Sequence, residues 1–172
     1  MLRFCVALPL VLFLVGCQSN TSPDKVAKVA ADEKHMAETS ANLMGPLMPH
    51  CLAAVETGKV VSAATMAQLG FKPRGDGFAK PLGDSLIDRL NMSEVSFRAK
   101  SGECAMGGVA ALPRVGGDFV AKTLTSRGYA MEGYGKATTG RGAGYLFVKG
   151  NTRIRLSGGA GAGGTAIILT RE

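Results

Sequence analysis

The sequence has no tryptophan, only two histidines, and few aromatic residues of any kind, at 6%. These absences exclude several chemistries. A zinc site needs about four ligands at suitable spacing. His35 and His50 do not join the cysteines in such a pattern, so no metal is expected. His50 and Cys51 adjoin, but neighbouring residues on a helix point about 100° apart and form no base–nucleophile pair. Gly-x-Ser-x-Gly does not occur, and Asp84, Asp88 and Glu94 are scattered rather than paired. The expectation is therefore a protein without catalytic residues and without a cofactor. Long apolar runs are missing too. The first run, Phe4 to Leu14, spans eleven residues, whereas a helix that crosses a bilayer needs roughly 20.

Turning to what is present, apolar residues make up 46% of the chain, enough for a real core and against wholesale disorder. A length of 172 residues suggests one domain. The 24 glycines imply many turns and close backbone approaches. The net charge of +7 serves solubility or favours acidic partners such as anionic lipid, cell-wall polymer or nucleic acid.

The chain opens Met1-Leu2-Arg3, continues through the apolar run, and then reads Leu14-Val15-Gly16-Cys17. One positive charge before a short apolar stretch has the shape of a secretory signal, which is removed from the mature chain. In place of an Ala-x-Ala ending, these four residues resemble the lipobox of bacterial lipoproteins, a likeness confined to residues 1–17. The resemblance implies that the Cys17 thiol receives a diacylglyceryl group and that cleavage before Cys17 frees an amine that is often acylated as well. Each buried methylene contributes about 0.8 kcal/mol and one acyl chain is only marginally sufficient, so two or three chains on one residue make a durable tether. Gln18, where an Asp would mark inner-membrane retention, leans towards the outer membrane and its periplasmic face. Export also takes the chain away from nucleic acid, which is not expected as a partner.

The domain reading follows: residues 1–16 are the signal, 17–38 a lipidated N-terminus and flexible linker that turns helical near His35 and Met36, and 39–172 one small α+β domain. Its fold is expected to be an antiparallel sheet with helices on one face. A helix starts near Pro46 to Pro49, buries Leu47, Cys51, Leu52 and Val55, and stops at Gly58. A second runs from Ser62, an N-cap, to Gly70. Val95–Ala99 and Cys104–Val109 form a hairpin about Ser101-Gly102, pairing Ala99 with Cys104, Phe97 with Met106 and Val95 with Gly108. A third helix covers about Gly117 to Arg127. Tyr145–Lys149 and Thr152–Ser157 then pair about Gly150-Asn151, with Tyr145, Phe147, Ile154 and Leu156 on the core face. The tract Gly158–Gly164 reads as a flexible hairpin loop. A phosphate loop would need a helix after it, and a strand, Thr165 to Thr170, follows instead.

Two segments echo each other. Leu69-Gly70-Phe71 precedes Gly77-Phe78-Ala79-Lys80, and Arg127-Gly128-Tyr129 precedes Gly133-Tyr134-Gly135-Lys136. They suggest two α-β-β-β units, with chance in a glycine-rich chain as the competing account.

Cys5 leaves with the signal and Cys17 carries lipid, so Cys51 and Cys104 remain as an even pair in an exported chain. Each lies on an inner face, one of a helix and one of a hairpin, and a disulfide between them is expected. Arg141, Lys149, Arg153, Arg155 and Arg171 cluster in the C-terminal strands. They read either as a patch for an anionic partner or as a solvated sheet face guarding an edge. The function expected from all this is a membrane-anchored, non-enzymatic binding, adaptor or assembly module, meeting an envelope protein or anionic envelope polymer. A cell-wall or lipid hydrolase and a protein-inhibitor module are the alternatives.

Overall fold

A computed structural model describes residues 23–81, 94–108, 113–136, 143–161 and 164–172. Cys17 and Arg141 lie outside them. The helices are α1 (Pro23–Met44), α2 (Met48–Thr57), α3 (Ala63–Gln68) and α4 (Pro113–Ser126). The strands are β1 (Lys72–Arg74), β2 (Gly77–Pro81), β3 (Glu94–Lys100), β4 (Glu103–Gly107), β5 (Ala130–Lys136), β6 (Ala143–Lys149), β7 (Thr152–Gly161) and β8 (Gly164–Arg171).

Local chemistry explains the helix ends. Pro49 sits in the first turn of α2, where its missing N–H leaves nothing unpaired, and Gly58 closes the helix at φ 74°. Ser62 caps α3, its hydroxyl accepting the Thr65 N–H at 3.2 Å. After α3 and α4 the chain makes the same stop. Gly70 and Gly128 take φ 81° and 86°, and Phe71 and Tyr129 donate their N–H groups back to Met66 and Leu124 at 2.9 and 3.1 Å. The helix α1 begins earlier than its sequence suggests. Pro23 opens it, and it packs against α4, so residues expected to form a flexible linker are helical. Its buried side chains, Ser40 and Met44, lie in the last turns, whereas the described side chains before Thr39 are exposed apart from Asp32.

The eight strands of the described residues form one antiparallel sheet in the order β1-β2-β3-β4-β8-β7-β6-β5. The fold is α+β as expected, but each half holds one strand more. The first half is α3 followed by β1 to β4, and the second is α4 followed by β5 to β8. The two meanders meet where β4 pairs with β8. Both predicted hairpins have the predicted register: Ala99 opposite Cys104, Phe97 opposite Met106, Phe147 opposite Ile154 and Tyr145 opposite Leu156. The first ladder stops at Gly107, one residue short of the expected Val95–Gly108 pair. Gly108 turns away at φ 76°, at a point where any Cβ would collide with the Glu94 carbonyl. The glycine tract also differs. Gly158 to Gly161 continue β7 and pair with Gly164 to Ile167 of β8, so most of the expected loop is ladder.

The echo holds in space with a different partner. Lys80 on β2 donates to the Leu69 carbonyl at 3.1 Å and lies 5.9 Å from the Phe71 ring centre. Lys149 on β6 donates to the Arg127 carbonyl at 2.7 Å and lies 5.7 Å from the Tyr129 ring centre. Each lysine thus caps a helix C-terminus, where a cation meets the negative end of the dipole, and covers an aromatic ring. The counterpart of Lys80 is Lys149, not Lys136.

The core lies between the sheet and the helices. Val95, Phe97, Cys104, Met106, Phe147, Ile154, Leu156, Ile167 and Leu169 alternate inwards from the strands. They meet Leu47, Leu52 and Val55 of α2 and Val120 and Leu124 of α4. The Cys51–Cys104 disulfide, with both residues fully buried, joins α2 to β4 through the middle of this layer.

Candidate functional site

The cover that the helices give the sheet is incomplete. Beside the N-terminal half of α4 a cleft of about 580 Å³ opens onto the helix-bearing face of β5 to β8. Its floor is Phe147, Leu156 and Ile167, side chains that belong to the core. One wall is Gly117, Asp118 and Ala121 of α4, and the opposite rim is Met131, Tyr134 and Tyr145. The large apolar side chains exposed among the described residues are Val60 at 50%, Met131 at 59%, Tyr134 at 67% and Tyr145 at 47%. All but Val60 stand at this cleft. The two tyrosine rings meet edge to face, with centres 5.1 Å apart.

A backbone irregularity builds that rim. Residues three apart on a regular strand point to opposite faces. In β5 the register shifts between Met131 and Gly133, so Met131 lies opposite Phe147 and Tyr134 opposite Tyr145. The bulge brings both side chains to the same face. Gly133, at φ 151°, takes up the distortion. Sequence alternation cannot show this. It placed Tyr145 on the core face opposite Leu156, which is its register, but the helix layer does not extend over it.

The polar groups at the cleft are few. Among the described lining residues Asp118 is the one carboxylate, and none is a histidine, cysteine, lysine or arginine. It forms no ion pair among the described residues, and Lys122, one turn further along α4, is not within salt-bridge distance of it.

The basic residues singled out from the sequence do not assemble into one patch among the described residues. Arg155 is only 5% exposed. Its guanidinium donates to both carboxylate oxygens of Glu172, at 2.6 and 2.8 Å, and to the carbonyls of Gly135 and Gly144, at 3.0 and 3.2 Å. The Glu172 hydrogen bonds outweigh the cost of burial and raise its pKa, keeping the cation charged. Arg153 shares the helix-free face with Arg155 and lies 3.4 Å from Glu132 at the surface. Lys149 and Arg171 are on the other face. Lys149 caps α4, and Arg171 donates to the Glu56 carbonyl near the end of α2 at 3.2 Å. The alternation that put Arg153 and Arg155 on one side was right, but β5, β6 and Glu172 fold over Arg155 and consume its charge inside the molecule.

The helix-free face carries a second, shallower recess of about 330 Å³. Small residues, among them Ala79, Ser96, Ala105 and Gly107, form its floor. Arg74 pairs with Glu94 at its edge, and Asp76 accepts from Lys100 at 3.0 Å and Arg98 at 3.2 Å. The hydrogen bonds from Lys100, then Arg98, lower the Asp76 pKa below its usual value. These charges satisfy one another. Comparison with protein-family models, curated proteins and solved structures finds no match for this chain.

Proposed function

We propose that this chain is a membrane-anchored envelope lipoprotein whose α+β domain is a non-enzymatic binding, adaptor or assembly module. The anchor reading rests on Leu14-Val15-Gly16-Cys17. The observation that carries the binding reading is the apolar cleft with its exposed rim of Met131, Tyr134 and Tyr145. A pocket of this size with an apolar floor and few polar groups is the usual form of a recognition site. Large apolar side chains gathered in one exposed place mark an interaction surface, while scattered ones do not. A hydrolase would need a nucleophile and a base in reach of each other, and the described lining residues include no histidine, cysteine or lysine for such a pair. The outer membrane, on its periplasmic side, is the location that Gln18 favours.

The test has two parts. Cys17→Ala should abolish incorporation of an alkyne fatty acid and leave an uncleaved or mislocalised precursor, and equal labelling of the variant would remove the anchor. A photoreactive side chain at position 134 in intact cells should give a discrete adduct, while the same group at Val60 should not. Equal adduct patterns at both positions would remove the cleft as the binding surface.

A further inference from the structure

Two glycines widen the cleft. Gly117, in the interior of α4, has no positive φ, and a Cβ built on it meets nothing within 4 Å. Gly158, on β7, also lacks a positive φ, and a Cβ there comes no closer than 4.0 Å to the Ala166 carbonyl. Neither backbone conformation nor close packing calls for glycine at these two places. Glycine inside a helix is about 1 kcal/mol worse than alanine. Both residues line the cleft, and what they do there is keep it open.

The charge of the occupant follows from the walls. The chain as a whole is basic at +7, yet the charged side chain among the described lining residues is the carboxylate of Asp118. An aromatic face attracts a cation, and the Tyr134–Tyr145 pair stands on the rim across from Asp118. An anionic head placed against Asp118 would meet a like charge at short range. An apolar floor, two aromatic rings and a carboxylate together form a receptor for a hydrocarbon tail ending in an ammonium group. At about 580 Å³ the cleft has room for one alkyl chain.

We propose that the cleft binds a single-chain alkylammonium amphiphile, its tail against Phe147, Leu156 and Ile167 and its head between Asp118 and the Tyr134–Tyr145 pair. This deepens the binding reading of the same cleft and rests on it, but not on the lipid anchor.

The experiment uses the full chain in maltoside micelles, with photoreactive dodecylammonium, dodecyl maltoside and dodecyl sulfate as probes. Crosslinks at cleft residues are normalised to crosslinks elsewhere, which corrects for partition into the micelle. The ammonium probe should label the cleft about three- to tenfold more than the maltoside probe, and the sulfate probe least, as expected for one carboxylate and two ring contacts. Asp118→Asn should reduce the ammonium probe towards the maltoside level. Gly117→Leu should remove cleft labelling by all three while leaving thermal stability equal or higher, because leucine is the better helix former. Unlabelled phosphatidylethanolamine, which has the amine on a two-chain lipid, should compete poorly against unlabelled dodecylammonium. Equal or stronger labelling by the sulfate probe overturns the ammonium head and leaves the cleft a binding site. Unchanged labelling in stably folded Gly117→Leu overturns the cleft itself, and with it the binding reading. Effective competition by the two-chain lipid overturns the single-chain ligand.

Discussion

At the scale of single residues, burial separates side chains that look interchangeable in the sequence. Arg153 and Arg155 alternate on one face of β7, and as sequence they are equivalent surface cations. Arg155 instead forms a buried pair with Glu172, whose side chain is only 4% exposed. Removing one partner of a buried pair costs about 3–5 kcal/mol, because the other charge loses its compensation. Arg155→Gln should therefore lower unfolding free energy by about that amount, while Arg153→Gln, at an exposed pair, should change it by about 0–1 kcal/mol. Urea denaturation at neutral pH measures both. Similar costs for the two variants would contradict the assignment. Tyr129 gives a pH-dependent counterpart. Its hydroxyl donates to the Glu56 carboxylate at 2.6 Å, and burial first, then Glu56, raises its pKa far above the usual range. The folded state thus holds a proton that the unfolded chain releases from about pH 10 upwards, so the stabilisation is complete below pH 10 and declines as pH rises beyond it. Tyr129→Phe should lose about 1.5–3 kcal/mol at neutral pH, the usual range for a hydrogen bond to a charged group. It should also show a shallower fall in stability above pH 10. An unchanged alkaline slope would show that this phenol does not govern it.

At the scale of elements, legibility followed side-chain pattern. Both long hairpins were readable down to register because Phe97, Cys104, Phe147 and Ile154 alternate with polar residues around two-residue turns. The ends of α2 and α3 were readable from Pro49, Gly58 and Ser62, whose chemistry is local. The first half of α1 was not, because its described side chains are largely exposed and offer no buried face to read. Gly158 to Gly161 carry too little side chain to show alternation, so their membership of β7 depends on the hydrogen-bonding edge that β8 offers. The cleft was hidden for a related reason. A bulge at residue 132 sets the facing of Tyr134, and the extent of the helix cover determines whether Tyr145 is buried. Neither is a property of the local sequence. The pairing of Cys51 with Cys104 was legible because each sat on an inner face that local periodicity defines.

At the scale of the whole molecule, the disulfide and the strand order act together. Cys51 and Cys104 are separated by 53 residues, and a loop of that length corresponds to about 4 kcal/mol of lost unfolded-chain entropy. The double variant Cys51→Ala with Cys104→Ala should show a loss of that order in denaturant titration. Alkylation before and after reduction should find the two thiols blocked in the native chain, and free thiols in protein taken directly from cells would count against the bond. The order β1-β2-β3-β4-β8-β7-β6-β5 has a further consequence, one of timing. The strand that completes the middle of the sheet is the last of the eight to emerge from synthesis or export. Both cysteines precede it, so the bond joins residues made before β8, and the β4 edge has no partner until residues 164–171 arrive. A chain that folded and oxidised its first half before residues 164–171 arrived would be a stapled half-sheet with an unpaired β4 edge. The hazard of mispairing is then greatest during biogenesis and ends when the β4–β8 seam closes.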